Sequence, residues 1–310
     1  MNILDLSIAV LIPCYNEAIS IAKVVEEFHE VVPYAKVYVY DNNSSDDTYK
    51  IAMDAGATVR SEYQQGKGNV VRRMFADVEA DIYIMVDGDA TYDISGTPEL
   101  IELLVNEKLD MINGRRVTSD KLAYRNGHRI GNRILNGIVK ATFGNRFDDM
   151  LSGYRVFSRR FVKTFPAMAR GFEIETELTI HAMELRMPVK ECEILYRERM
   201  EGSESKLQTY RDGLRILKTI SVLIREERPL AFFGGLFLVL TAMSLILAWP
   251  IMLTFMDTGM VPRFPTAILS MGLILLAFLS FFCGLILDTV TLGRREMKRL
   301  AYLNYPVNRD

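Results

Sequence analysis

Two stretches near the C-terminus, Leu230 to Phe255 and Phe264 to Leu287, contain no charged residue, and this limits the possible folds more than any other feature. Each exceeds the ~20 residues that a helix needs to cross a hydrocarbon layer of ~30 Å. A buried helix of a soluble domain is the alternative for either run alone. Two in succession, joined only by Met256 to Arg263, predict a transmembrane hairpin with spans at about 230–255 and 264–287. Arg225 and Arg228 precede the first run, and Arg294, Arg295, Lys298 and Arg299 follow the second, while the connector carries Arg263 alone. Positive charge at both outer ends places both on the cytosolic side of the cytoplasmic membrane. The first six residues show no basic region leading into an apolar run, so no signal peptide is expected and the domain before the spans stays cytosolic.

The 310 residues leave room for one large domain ahead of this hairpin. The net charge of −2 and the lack of a long basic stretch argue against nucleic acid as a partner. Cys14, Cys192 and Cys283 are too few and too scattered for a metal cluster or a disulfide framework.

Short apolar runs alternate with helical patterns over the N-terminal part, predicting an α/β domain with a largely parallel sheet over residues 1–208. Strands are expected at 7–13, 36–41, 57–60, 81–87 and 110–114, with helices at 17–31, 47–55, 69–78 and 98–106. Residues 209–228 set Leu214, Leu217, Ile220 and Ile224 against Arg211, Arg215, Lys218 and Arg225. This juxtamembrane amphipathic helix either lies among lipid headgroups or packs on its own domain. Residues 229–290 then form the hairpin, and 291–310 a cytosolic tail.

The polar clusters fall where strands end: Cys14 to Glu17, Asp41 to Asp46, and Asp87-Gly88-Asp89. Ligands of such sheets bind outside the carboxyl ends of the strands. Asp87 and Asp89, one small residue apart after an apolar strand, can hold a hard divalent ion that keeps its other positions for phosphate oxygens and water. Gly88 would let a diphosphate approach the backbone. Asp41 suits hydrogen bonds from a base or ribose, although Asn42, Asn43 and Ser44 also make this a good turn. Gly66-Lys67-Gly68 reads as a flexible loop bearing one cation for a phosphate. Glu173, Glu175 and Glu177 either complement a helix dipole or touch a sugar hydroxyl.

Ile12 to Glu17, Asp41 to Thr48, Gln65 to Gly68, Asp87 to Asp89 and Asp149 to Arg155 occur in one order. That series resembles glycosyltransferase family 2, in particular its polyprenyl-phosphate glycosyltransferase and dolichyl-phosphate mannose synthase branch. The resemblance covers roughly residues 7–225. It implies a GT-A fold and an inverting, metal-dependent transfer from a nucleotide-sugar, with a UDP-sugar favoured over a GDP-sugar, to a polyprenyl phosphate. By that resemblance Pro13, Tyr15, Asn16, Glu17, Asp41, Lys67, Asp87, Arg155 and Lys206 belong to the donor site. Asp87 and Asp89 would hold Mg²⁺ or Mn²⁺. Many relatives supply a third ligand two residues further on, which is Thr91 here, with Asp93 after it; the third ligand stays open. Asp149 matches an acid that can serve as base for hydroxyl acceptors. A phosphate acceptor is already ionised, which predicts that Asp149 orients groups instead of moving a proton. Arg115, Arg116, Arg129 and Arg133 are candidates for the acceptor phosphate, and Arg115 is counted with Asp89 and Asp149 among the catalytic residues. The Gly202 to Lys206 segment is similar to an element near the leaving phosphates.

A processive synthase of the same fold would carry a Gln-x-x-Arg-Trp element, yet the single tryptophan, Trp249, lies in a span. A nucleotidyltransferase would show a glycine-rich loop after the first strand, and Pro13 to Glu17 has no glycine. Another membrane acceptor, or a non-catalytic nucleotide-sugar-binding adaptor, remains as an alternative. A two-span anchor in membrane lipid also suits a homo-oligomer.

Overall fold

The computed structural model describes residues 3–117, 147–199, 221–222 and 225–306. It divides into two compact units, Met1–Leu214 with Lys298–Asp310, and Arg215–Met297.

In the first unit, β1 (Ile8–Cys14) leads to α1 (Ile21–Val31), β2 (Lys36–Asp41), α2 (Thr48–Asp54), β3 (Thr58–Ser61), α3 (Lys67–Asp77), β4 (Ile82–Met85), α4 (Thr97–Asn106) and β5 (Met111–Val117). After residue 146 come β6 (Arg155–Ser158), α5 (Arg159–Thr164), α6 (Ile174–Glu184) and β7 (Val189–Leu195). The seven strands form one sheet in the order β3-β2-β1-β4-β6-β5-β7. All pairings are parallel except those of β6, which runs antiparallel to both β4 and β5. This is the mostly parallel mixed sheet of a GT-A fold.

The local reasons are plain in the first half. Every residue of β4 is buried, and only Pro13 of β1 is partly exposed, as expected of strands covered on both faces. Ile21, Val24, Val25 and Phe28 recur at helical spacing and form the buried face of α1. Ser20 precedes that helix but does not cap it; its hydroxyl donates to the Gly88 carbonyl at 2.7 Å, tying α1 to the end of β4. The antiparallel β6 was absent from the sequence reading, as was β7, while α6 entered it only as the helix whose dipole Glu173, Glu175 and Glu177 would complement. Four buried residues beginning with an arginine give no alternating pattern to detect.

The second unit holds α7 (Pro229–Thr258) and most of α8 (Phe264–Leu303), both long and apolar enough to cross a membrane. The Ser244 hydroxyl lies 2.8 Å from the Ser270 carbonyl, and the Ser280 hydroxyl donates to the Phe233 carbonyl at 3.0 Å. A Cβ on Gly284 would stand 2.9 Å from that of Phe233, so the two helices meet backbone to backbone through small residues. Arg294 donates to the Glu226 carbonyl and to the Glu227 carboxylate, fastening the start of α7 to α8. The second apolar helix thus runs on well past Leu287. Most of the amphipathic segment 209–228 lies outside the described residues.

Candidate active site

Three strand ends build the site. Beyond β1, Asn16 adopts a left-handed φ of 53°. Its amide donates to Ser44 Oγ at 2.9 Å, and its side-chain oxygen accepts from the Ser45 amide at 2.8 Å. The Glu17 amide donates to Thr48 Oγ1 at 2.8 Å. Asn16 and Glu17 therefore stitch the β1 loop to the β2 loop. Tyr15 is partly exposed beside them. Asp41 is buried and accepts from the Ser44 amide through Oδ2, while its Oδ1 is buried with no hydrogen-bond partner. An orphaned acceptor at the carboxyl end of a strand suits a ribose hydroxyl or a base N–H. The turn reading holds as well, since Asn43 sits at φ 62°.

Asn42 carries more than a turn. Its amide donates to the carbonyls of Glu62 and Gln64, both at 2.9 Å, and its oxygen accepts from the Gly66 amide at 2.7 Å. These bonds deliver Lys67 to the site, and the segment proves anything but a flexible loop. Gly66, at φ 129°, precedes α3, and Lys67 is that helix's first residue. A Cβ on Gly66 would fall 2.1 Å from the Arg170 carbonyl, and one on Gly68 2.3 Å from that of Ala169. The glycines serve close packing, which fixes Lys67 in place. Its ammonium lies 2.5 Å from both Asp87 Oδ1 and Glu175 Oε1. Burial alone would pull the Lys67 pKa down, but the two carboxylates outweigh it and hold the ammonium above its ordinary value.

Beyond β4, Asp89 accepts from the Thr91 hydroxyl at 2.6 Å and pairs with Arg199 at 2.7 Å. Burial, reinforced by the neighbouring Asp87, pushes the Asp89 pKa up. Two close carboxylates that repel one another's charge are hard oxygen donors suited to a divalent cation. Thr91 orients Asp89, and Asp93 pairs with Arg197 and the Ser95 amide. Neither supplies an evident third ligand, and no group of three metal-binding side chains occurs among the described residues. A Cβ on Gly88 would lie 2.6 Å from Cys14 Sγ and close to Ile12 and Ile21, so the core leaves no room for a side chain there. Close approach also marks Gly153, whose Cβ would meet Asp87 Oδ2 at 2.2 Å. The Gly153 amide donates to the hydroxyl of buried Tyr92 at 2.8 Å.

On the other side of Asp87, Arg116 forks onto Asp149, with Nε and Nη2 at 2.7 and 2.8 Å from its two oxygens. The Asp149 amide donates to Glu191 Oε1 at 3.1 Å, an oxygen that also accepts from the Asn113 side chain at 2.8 Å. Two of the Arg116 donors are thus taken by Asp149, where the sequence reading had them on a phosphate. Arg115, more exposed, pairs with Glu193 and Asp148. Arg155 is also not placed for donor contact: it is fully buried. It donates to the carbonyls of Ser152, Met150 and Glu175 and to Thr179 Oγ1. Burial lowers its pKa to about 10. It braces the Asp149 to Gly153 loop and the start of α6 from below. Arg129, Arg133 and Lys206 lie outside the described residues.

Residues 9–165 match Glycosyl transferase family 2. The chain belongs to this family. The glycosyltransferase is 31% identical over 299 residues to Glycosyltransferase AglJ of Haloferax volcanii, covering 96% of this chain and 98% of that one. It is 24% identical over 186 residues to a dolichol-phosphate mannosyltransferase of Pyrococcus furiosus, covering 56% of this chain and 53% of that one. Among solved structures, glucosyl-3-phosphoglycerate synthase of Mycobacterium tuberculosis in complex with Mn²⁺ and UDP-glucose superposes with a TM-score of 0.58. There the identity is 22% over 71% of this chain and 78% of that one, which speaks for the fold alone.

The sequence left several residues of this family 2 enzyme unread. Asn42 looked like one turn residue among three, and Tyr92 was not singled out. Glu173 and Glu177 were read as complementing a helix dipole or touching a sugar; they lie at the N-terminus and in the first turn of α6, and they also hold the loop before it. Glu173 accepts from the Gly171 amide at 3.1 Å, and Glu177 from those of Met168 and Ala169 at 3.0 and 2.8 Å. Only Glu175, of the three, reaches the cluster around Asp87.

Proposed function

We propose that this glycosyltransferase moves a sugar, with inversion, from a UDP-sugar to a polyprenyl phosphate at the cytosolic face of a membrane. The observation that carries this reading is the Arg116 fork on Asp149. A carboxylate with both oxygens held by one guanidinium is a poor proton acceptor, which disfavours a hydroxyl acceptor that must be deprotonated. A phosphate monoester attacks without that help. Two helices apolar enough to cross a membrane follow the catalytic region, which supports an acceptor that lives in lipid.

In this reading the loops beyond β1 and β2 receive the nucleoside, with the unpaired Asp41 Oδ1 accepting from the ribose or base. Asp87 and Asp89 would hold a divalent cation, which when bound offsets charge on the leaving diphosphate. Lys67 and Arg199 bring two further cations beside those carboxylates. Arg115, on the exposed part of β5, remains a candidate for the acceptor phosphate together with Arg129 and Arg133. The enzyme's contribution is then positioning and charge stabilisation. Cationic residues flanking the two uncharged runs, against Arg263 alone between them, support cytosolic ends. The catalytic region would be 1–208, with an interfacial helix at 209–228.

The test is transfer from a panel of labelled UDP- and GDP-sugars to undecaprenyl phosphate in detergent, with Mn²⁺ or EDTA, and with 3-phosphoglycerate as a soluble comparison. One sugar reaching the lipid only with metal is the expected result. Transfer to the soluble acceptor alone, or from no donor, would overturn the polyprenyl reading.

A further inference from the structure

We propose that Lys67 exchanges partners: its ammonium gives up Asp87 to a divalent cation and stays on Glu175, which makes Glu175 a positioning residue of the donor site. The inference rests on the reading of Asp87 as a metal ligand. Its geometric basis is a three-residue bridge, with Lys67 Nζ 2.5 Å from each carboxylate. The bridge is asymmetric. The side chains of Lys67 and Glu175 are each 9% exposed, whereas that of Asp87 is 29% exposed, so Asp87 is the end that a cation from solvent can reach.

Backbone packing holds the other end rigid. Gly66 and Gly68 fit against Arg170 and Ala169 with no room for a side chain. The Asn69 amide donates to the Arg170 carbonyl at 3.3 Å, and Glu175 is held from beneath by Arg155 through its own carbonyl at 2.9 Å. The backbones that carry Lys67 and Glu175 are thus held together whether or not Asp87 keeps its bond to Lys67. The charges agree: Asp87, Asp89 and Glu175 face Lys67 and Arg199, leaving an excess of one negative charge. An ammonium stranded in such a site without a carboxylate is costly. Glu175 removes that cost at the moment Asp87 is taken, and keeps a cation next to the diphosphate.

The experiment needs no turnover. Mn²⁺ binding to the purified full chain in detergent, without donor, is followed by the electron paramagnetic resonance signal of free Mn²⁺. Glu175→Gln leaves Lys67 with Asp87 alone, so the Mn²⁺ dissociation constant should rise about tenfold. Lys67→Met removes the competitor, so it should fall several-fold, and the double variant should match Lys67→Met. Glu175→Asp, which keeps the charge, should recover most of the lost affinity. Circular dichroism confirms that each variant is folded. Wild-type affinity in Glu175→Gln, or weakened binding in Lys67→Met, overturns the exchange while leaving the metal reading intact. No Mn²⁺ binding by the wild type overturns both.

Discussion

Arg116 grips both oxygens of Asp149, Nε to Oδ2 at 2.7 Å and Nη2 to Oδ1 at 2.8 Å, and both side chains are largely buried. Losing a true general base costs about 10²- to 10⁴-fold in rate. Asp149→Asn should instead keep turnover on the proposed polyprenyl-phosphate acceptor within about tenfold, a loss below that range. Its effect should show in stability, because a largely buried guanidinium loses its charge partner, at about 3 kcal/mol. Turnover and urea denaturation on one preparation separate the two effects.

Gly153 leaves no space between its backbone and Asp87, since a Cβ would sit 2.2 Å from Oδ2 and 2.6 Å from Cγ. Asp87 is partly exposed and can swing aside, so Gly153→Ala should fold and melt within a few degrees of the wild type. The displaced carboxylate should lower turnover by about a hundredfold, as expected of a site group misplaced by about 1 Å. Normal turnover in Gly153→Ala would show that the position of Asp87 does not matter.

His181 is buried with neither ring nitrogen hydrogen-bonded, and its ring meets Phe161 and Phe165 edge-on. Burial, helped by Lys298, pushes its pKa down from 6.5 to about 4. The unfolded chain takes up this proton as pH drops through 6.5, while the folded chain resists until near pH 4. Stability that is full above pH 6.5 is therefore lost as pH falls from 6.5 towards 4, by about 1.4 kcal/mol per unit and about 3 kcal/mol in all. The urea midpoint measured at pH 7.5, 6 and 5 should show this slope, and His181→Leu should flatten part of it.

Tyr302 donates to Asp110 Oδ2 at 2.7 Å, beside the Arg160 fork on the same carboxylate. The Arg160 guanidinium also lies 4.2 Å from the Tyr302 ring centre. Tyr302→Phe keeps the ring but removes one donor from a buried carboxylate, and should cost about 1–2 kcal/mol in urea denaturation. Tyr302→Ala should cost more, because Arg160 and Arg299 both lose the ring.

The N-terminal half was legible because its apolar runs and helical spacings are local, and because each strand ends on a polar cluster. What escaped depends on distance along the chain. The burial of Lys67 follows from Asp87 and Glu175, which are 20 and 108 residues away, and no spacing rule links them. A lysine between two glycines gives the signature of a loop, whether or not a backbone 100 residues later presses against it. Arg155 misled for a similar reason: a motif arginine reads as a ligand contact, but this one has its donors spent on carbonyls. Gly88 was recognised as necessary, but its neighbour in the core was not. The side a missing Cβ would face is a property of the packed sheet, and Cys14, 74 residues earlier, occupies it.

The pairing of Tyr302 with Asp110 spans 192 residues of chain, with both uncharged apolar runs in between. At about 5–20 residues per second of synthesis, Asp110 waits roughly 10–40 s for this partner to be made. The first unit can assemble its sheet early, yet its last contacts arrive only after the ribosome has translated the hairpin. Completion of the catalytic unit is thereby ordered behind synthesis of the two apolar runs.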